Sequence, residues 1–141
     1  MSFSWGSLTS QTPNIQKLAS KKDVDGLIKA LDYRDHKTPT RGTMIVEAAA
    51  TALGDLRDDR ALAPLLKTVD RLEQLSSDLR EMGEKLSSDS GVATLEASRE
   101  AVTHALRATK GAFVDIVAGR DVEAVTKWTI QHPGEAVPQG L

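Results

Sequence analysis

Few residues in this chain have the type and spacing that chemistry requires. The three histidines, His36, His104 and His132, are the natural candidates for proton transfer or metal ligation. None falls in the HxxxH or HExxH spacing that sets two imidazoles on one helix face, so they read as surface or turn residues, with only a site assembled from distant parts left open. Asp58 and Asp59 are adjacent carboxylates in a turn. A general acid–base pair must converge on a substrate, whereas a turn aspartate before a helix ordinarily caps it, and Asp59 is expected to be such a cap. No GxSxG, GxGxxG or GxxxxGK[ST] run occurs, so the nucleophile elbow and the glycine-rich phosphate loops are missing. Without cysteine there is no thiol nucleophile, disulfide or thiolate metal site. These residues predict a non-catalytic chain with no cofactor and no metal.

Non-covalent recognition has better candidates. Arg34, His36, Lys37 and Arg41 cluster within residues 32–43, DYRDHKTPTRGT, with Lys21, Lys22 and Lys29 nearby in sequence. Together they could present a basic edge to phosphate or an acidic partner, against the plainer reading of a solvated loop. Leu65, Leu72, Leu79 and Leu86 stand seven apart, with Thr68, Leu75 and Met82 at the accompanying positions. Such a stripe is an internal packing seam or a dimer zipper. Leu95, Val102 and Thr109 also repeat at seven, so an intrachain antiparallel hairpin is the expected use. Leu72, Leu75, Leu79, Met82 and Leu86 are the alternative seam for self-association. Trp128 is expected to cap an end of the helical stack rather than to serve as a ligand platform.

The elements that must position these residues are helices. Hydrophobic residues make up 40% of the 141 positions and aromatics only 4%, so the core is built from Ala, Leu, Val and Ile, a mixture suited to close-packed helices. The length fits one domain. Residues 1–12 read as an arm whose Phe3, Trp5 and Leu8 could tuck against the body. Residues 13–132 read as a single helical domain containing a long hairpin at 64–110, and 133–141 as a tail. Pro13 suits a helix start, and Asp23 an N-cap for a helix burying Val24, Leu27, Ile28 and Leu31. Residues 32–43 break the pattern at Pro39 and Gly42. A third helix is predicted over 43–56, burying Met44, Ile45, Ala48, Ala49, Ala52, Leu53 and Leu56. A fourth runs to about Leu86, bent or delayed at Pro64. SSDSG at 87–91 reads as a turn. A fifth helix is predicted over 92–109, and a last stretch over 112–131 broken at Gly119.

Two segments echo each other. IQKLASKKDVDGL at 15–27 aligns with FVDIVAGRDVEAV at 113–125, pairing Asp23 with Asp121, Val24 with Val122 and Leu27 with Val125. Recurrent short helices of this kind mean stacked units, none of which buries its face alone. Residues 45–66, IVEAAATALGDLRDDRALAPLL, resemble the short HEAT-like repeat also found in phycobilin lyase subunits. The resemblance is carried by Ala48, Ala49, Ala52, Leu53 and Gly54, then Asp59, Arg60, Ala61, Pro64 and Leu65. It covers about 14–69. Val46 stands where the family often has Arg, the 31–45 linker is longer than usual, and 70–110 do not follow the repeat. The resemblance implies an all-α, HEAT-like α-solenoid of about six helices with a long central hairpin.

The formal net charge of −2 disfavours nucleic acid as partner, because duplex binding draws on a basic excess. No apolar run approaches the ~20 residues that span a bilayer, and MSFSWGSLTS lacks the basic and apolar regions of a secretory signal, so a cytoplasmic location is expected. The expected function is a protein–protein interaction or scaffold module whose partner is another protein or a second copy. The alternatives are a chromophore-lyase-like subunit and a nucleic-acid-binding HEAT-like protein.

Overall fold

Side-chain caps fix where this chain turns into helix. The computed structural model describes all residues except 1–12, 35–38, 86–88, 134, 136 and 140. Helix α1 covers Ile15–Ser20, and Asn14 accepts from the Lys17 amide at 3.1 Å. Helix α2 covers Val24–Leu31, and Asp23 accepts from the Gly26 amide at 2.9 Å. Helix α3 covers Pro39–Leu56. A 3-10 turn at Asp59–Ala61 leads into α4, Leu62–Lys85. Helix α5 covers Asp89–Val117, and α6, Val122–Gln131, is capped by Asp121, which accepts from the Ala124 amide. Each of these caps satisfies an amide that the first helical turn leaves without a partner. Among the described residues all regular structure is helical, as the composition predicts.

Three long helices carry most of the packing. Helix α5 lies against both α3 and α4. Leu65, Leu72 and Leu79 of α4 are buried, as are Leu95, Val102 and Thr109 of α5. In two antiparallel helices joined near residue 87, these seven-residue stripes face each other in register, so the heptad signal is an internal seam. Helices α3 and α5 run parallel. Thr40 and Ser98, 58 residues apart, meet through their hydroxyls at 3.5 Å, and the same offset brings Gly54 onto Ala112. A Cβ on Gly54 would lie 2.9 Å from the Ala112 Cα and Cβ, so the missing side chain is what lets the two backbones close. The two helices consecutive in sequence, α3 and α4, hardly touch. The remaining contacts join α1 to α3 and α2 to α4 to α6, along with the sequential pairs α1–α2, α2–α3 and α5–α6.

Several boundaries differ from the sequence reading. Helix α3 begins at Pro39, not Thr43, because a proline in the first turn loses no hydrogen bond, and Gly42 is buried within the helix. Val46, Ala49, Ala50, Ala52 and Leu53 form its buried face, while Met44 is 58% exposed and Ala48 is exposed too. Pro64 sits in the first turn of α4, where the amide needs no partner, and the α-helix starts at Leu62 after the 3-10 turn and runs to Lys85. The predicted break between 109 and 112 is absent. Helix α5 runs through Gly111, where a Cβ would meet nothing. The chain does turn at Gly119, as expected, where a φ of +84° is the left-handed conformation glycine accepts readily. The cap after α3 is Asp58, which accepts from the Arg60 amide at 2.9 Å, not Asp59.

Candidate binding site

Because α3 and α4 both lean on α5 but hardly on each other, they leave a groove between them. Its inner part is a cavity of about 540 Å³ between Gly42, Thr43 and Val46 of α3 and Leu72 and Leu75 of α4, closed at one end by Tyr33 and Arg34 after α2. It continues past Thr43 and Leu75 into a second cavity of about 570 Å³, floored by Leu95, Ser98 and Val102 of α5. Leu75 is 37% and Met82 52% exposed along this wall. The α4–α5 hairpin extends beyond the N-terminus of α3, and among the described residues no helix lies over the inner face of its tip.

The inner end of the groove is cationic. Arg71 is half buried and donates through Nη2 to the Leu31 carbonyl, completing the C-terminus of α2, where free carbonyls favour a cation. Burial and the neighbouring Arg34 charge hold the Arg71 guanidinium below its usual pKa, and Asp32 opposes them. Arg34 and Arg71 also line a third cavity of about 390 Å³, with Lys67, Pro64 and Thr68 on its far side.

The predicted site residues separate in the fold. Arg34 stands at the groove. Arg41 is exposed in the first turn of α3 and lines none of these cavities. His36 and Lys37 lie outside the described residues. Of the leucine-stripe residues, Leu72 and Leu79 are buried in the hairpin while Leu75 and Met82 face the groove, and Leu86 lies outside the described residues. His104 pairs with Glu100 at 3.7 Å on the surface of α5. His132 stacks on Trp128 at 3.7 Å between ring centroids. Trp128 itself packs against the core, and its indole N–H is buried with no acceptor among the described residues. Asp59 makes a two-point contact with Arg120, at 2.9 and 3.0 Å. Among the described residues no three His, Asp or Glu side chains gather as metal ligands, and no helix is long and apolar enough to cross a membrane.

Arg71 and Lys67 were not singled out by sequence reasoning. Both sit on α4, far from Arg34 in sequence, and only the packing of α2 beside α4 brings the three to one place. Comparison with family models, with curated proteins and with solved structures returns no match.

Proposed function

We propose that this chain is a non-catalytic protein-binding module of the HEAT-like kind, which holds an apolar segment of a partner protein in the groove between α3 and α4. The observation that carries the reading is the groove itself. Leu75 and Met82 are exposed on the walls of two adjoining cavities that share Thr43 and Leu75 and present mainly apolar surface, a cost in water that a bound segment removes at roughly 25 cal/mol per Å² of apolar surface. The repeat character is supported by the parallel α3 and α5, by the contacts of α1 with α3 and of α2 with α4, and by the matching caps Asp23 and Asp121. Stacked helical repeats bring equivalent helices together in this way.

The test is capture from the native host with the intact chain and with Leu75→Glu and Met82→Glu. Both side chains are exposed, so the variants are expected to keep wild-type helicity and melting behaviour. The expected result is loss of the proteins that co-purify with the wild type. An unchanged set of captured proteins from folded variants would count against the groove. The same exposed pair also favours a second reading, in which a second copy covers the groove. Mass by light scattering across a concentration series separates the two, since a strict monomer leaves only the partner protein.

A further inference from the structure

The cationic end of the groove is a different kind of surface from its apolar walls. Arg34, Lys67 and Arg71 border one cavity, with Asp32 the acidic group on its rim. Neither Arg34 nor Lys67 has an ion-pair partner among the described residues, and both are exposed. Arg71 is held in place by its bond to the Leu31 carbonyl, which leaves its other guanidinium N–H groups without an acceptor among the described residues. Three cations around one opening repel one another, and one carboxylate does not balance them. An arginine held through one guanidinium nitrogen, with free donors on the others, is a pre-oriented group for an oxyanion, because its planar geometry can match two oxygens at once.

We propose that this cavity is an oxyanion site, which takes a phosphoryl or carboxylate group between Arg34, Lys67 and Arg71. The apolar floor made by Ile28, Leu31 and Pro64 lowers the local dielectric and strengthens each charge-assisted bond. Arg34 and Arg71 also line the groove cavity, so an anion bound here abuts whatever occupies the apolar channel. The inference rests on reading this end of the molecule as a ligand surface, but it is tested without a partner protein, so the groove reading and the anion site stand or fall separately.

The experiment is a titration of the full chain with inorganic phosphate, pyrophosphate and a tetraglutamate peptide, each against chloride at equal ionic strength, followed by amide and arginine Nε NMR shifts. The expected result is a saturable response centred on Arg34, Arg71 and residues 64–71, weakened about tenfold or more in Arg34→Gln and Lys67→Gln. These two positions lack ion pairs, so their variants should fold normally. Arg71→Lys, which keeps the charge but loses the planar guanidinium, is expected to weaken binding as well. A response to pyrophosphate alone identifies the group as phosphoryl, and a response to tetraglutamate alone as carboxylate. Shifts that are unsaturable, scattered over the surface or unchanged in Arg34→Gln and Lys67→Gln would overturn the site.

Discussion

At the residue scale, Arg120 ties three parts of the chain together. It bonds Asp59 through two nitrogens and the Ile116 carbonyl at 2.7 Å, linking the α3–α4 turn to the end of α5. Both partners are about three-quarters buried, so water screens the pair only partly. Arg120→Ala is expected to lower stability by about 1–3 kcal/mol in urea melts. Arg120→Lys should recover only part of that, since an ammonium cannot span both carboxylate oxygens. Asp58 makes a different use of charge. Its hydrogen bonds to the Arg60 side chain hold its carboxyl below the usual carboxylate range. A group with a lowered pKa in the folded state stabilises fully above the ordinary carboxylate pKa and loses that contribution as pH falls through the folded value. Asp58→Asn should therefore be less stable than wild type at neutral pH, and the two melting curves should converge in acid. Arg57, just after α3, has a φ of 52°, and its side chain has no bond among the described residues. Arg57→Gly is expected to raise stability by about 0.5–1 kcal/mol, which a thermal melt can read.

At the element scale, the close approach of α3 and α5 depends on Gly54. Gly54→Ala forces backbone atoms apart and is expected to cost about 1–3 kcal/mol, although alanine is the better helix former. A gain in stability would mean that the helices separate freely. The leucine stripe divides in the same way. Leu72→Ala should cost about 2–5 kcal/mol, and Leu75→Ala well under half of that, because Leu75 already meets solvent.

The heptads were legible in the sequence because seven-residue spacing is a property of one helix, whatever its partner. The caps at Asp23 and Asp121 were legible for the same local reason. The long α5 was not, because Lys110–Gly111 looks like punctuation until it is clear that an exposed glycine inside a helix costs only about 1 kcal/mol. The start of α3 was misplaced because Pro39 serves a first turn as readily as a loop. The buried face of α3 was also rotated from the expected one, since an alanine-rich helix offers several nearly equivalent stripes and its neighbours α2 and α5 choose among them. The site was half legible. Arg34 could be found from local clustering, but Arg71 joins it across 37 positions of chain, a distance that no spacing rule covers.

At the scale of the whole molecule, the apolar groove opens toward the tip of the α4–α5 hairpin, and the cations without an ion-pair partner among the described residues border its inner end, along the first half of α4. The end away from that tip is closed by the α3–α4 turn, the Arg120 bridge and the packed Gly54–Ala112 contact. Amide hydrogen exchange is expected to be slowest in α3 and in the middle of α5, faster at the tip of the α4–α5 hairpin, and fastest in α1, which has no fully buried residue. Binding of a ligand in the groove should slow exchange at the hairpin tip and leave the closed end unchanged.

The parallel pairing of α3 with α5 also governs the order of assembly. The α4–α5 hairpin joins residues close in sequence, whereas the α3–α5 contact must close a loop of 58 residues, and loop closure grows costlier with length. The hairpin is therefore expected to form first. In stopped-flow kinetics, Leu72→Ala should slow folding, while Gly54→Ala should mainly accelerate unfolding. The chain would thus build outward from its middle, and during synthesis α3 would leave the ribosome well before the helix it packs against.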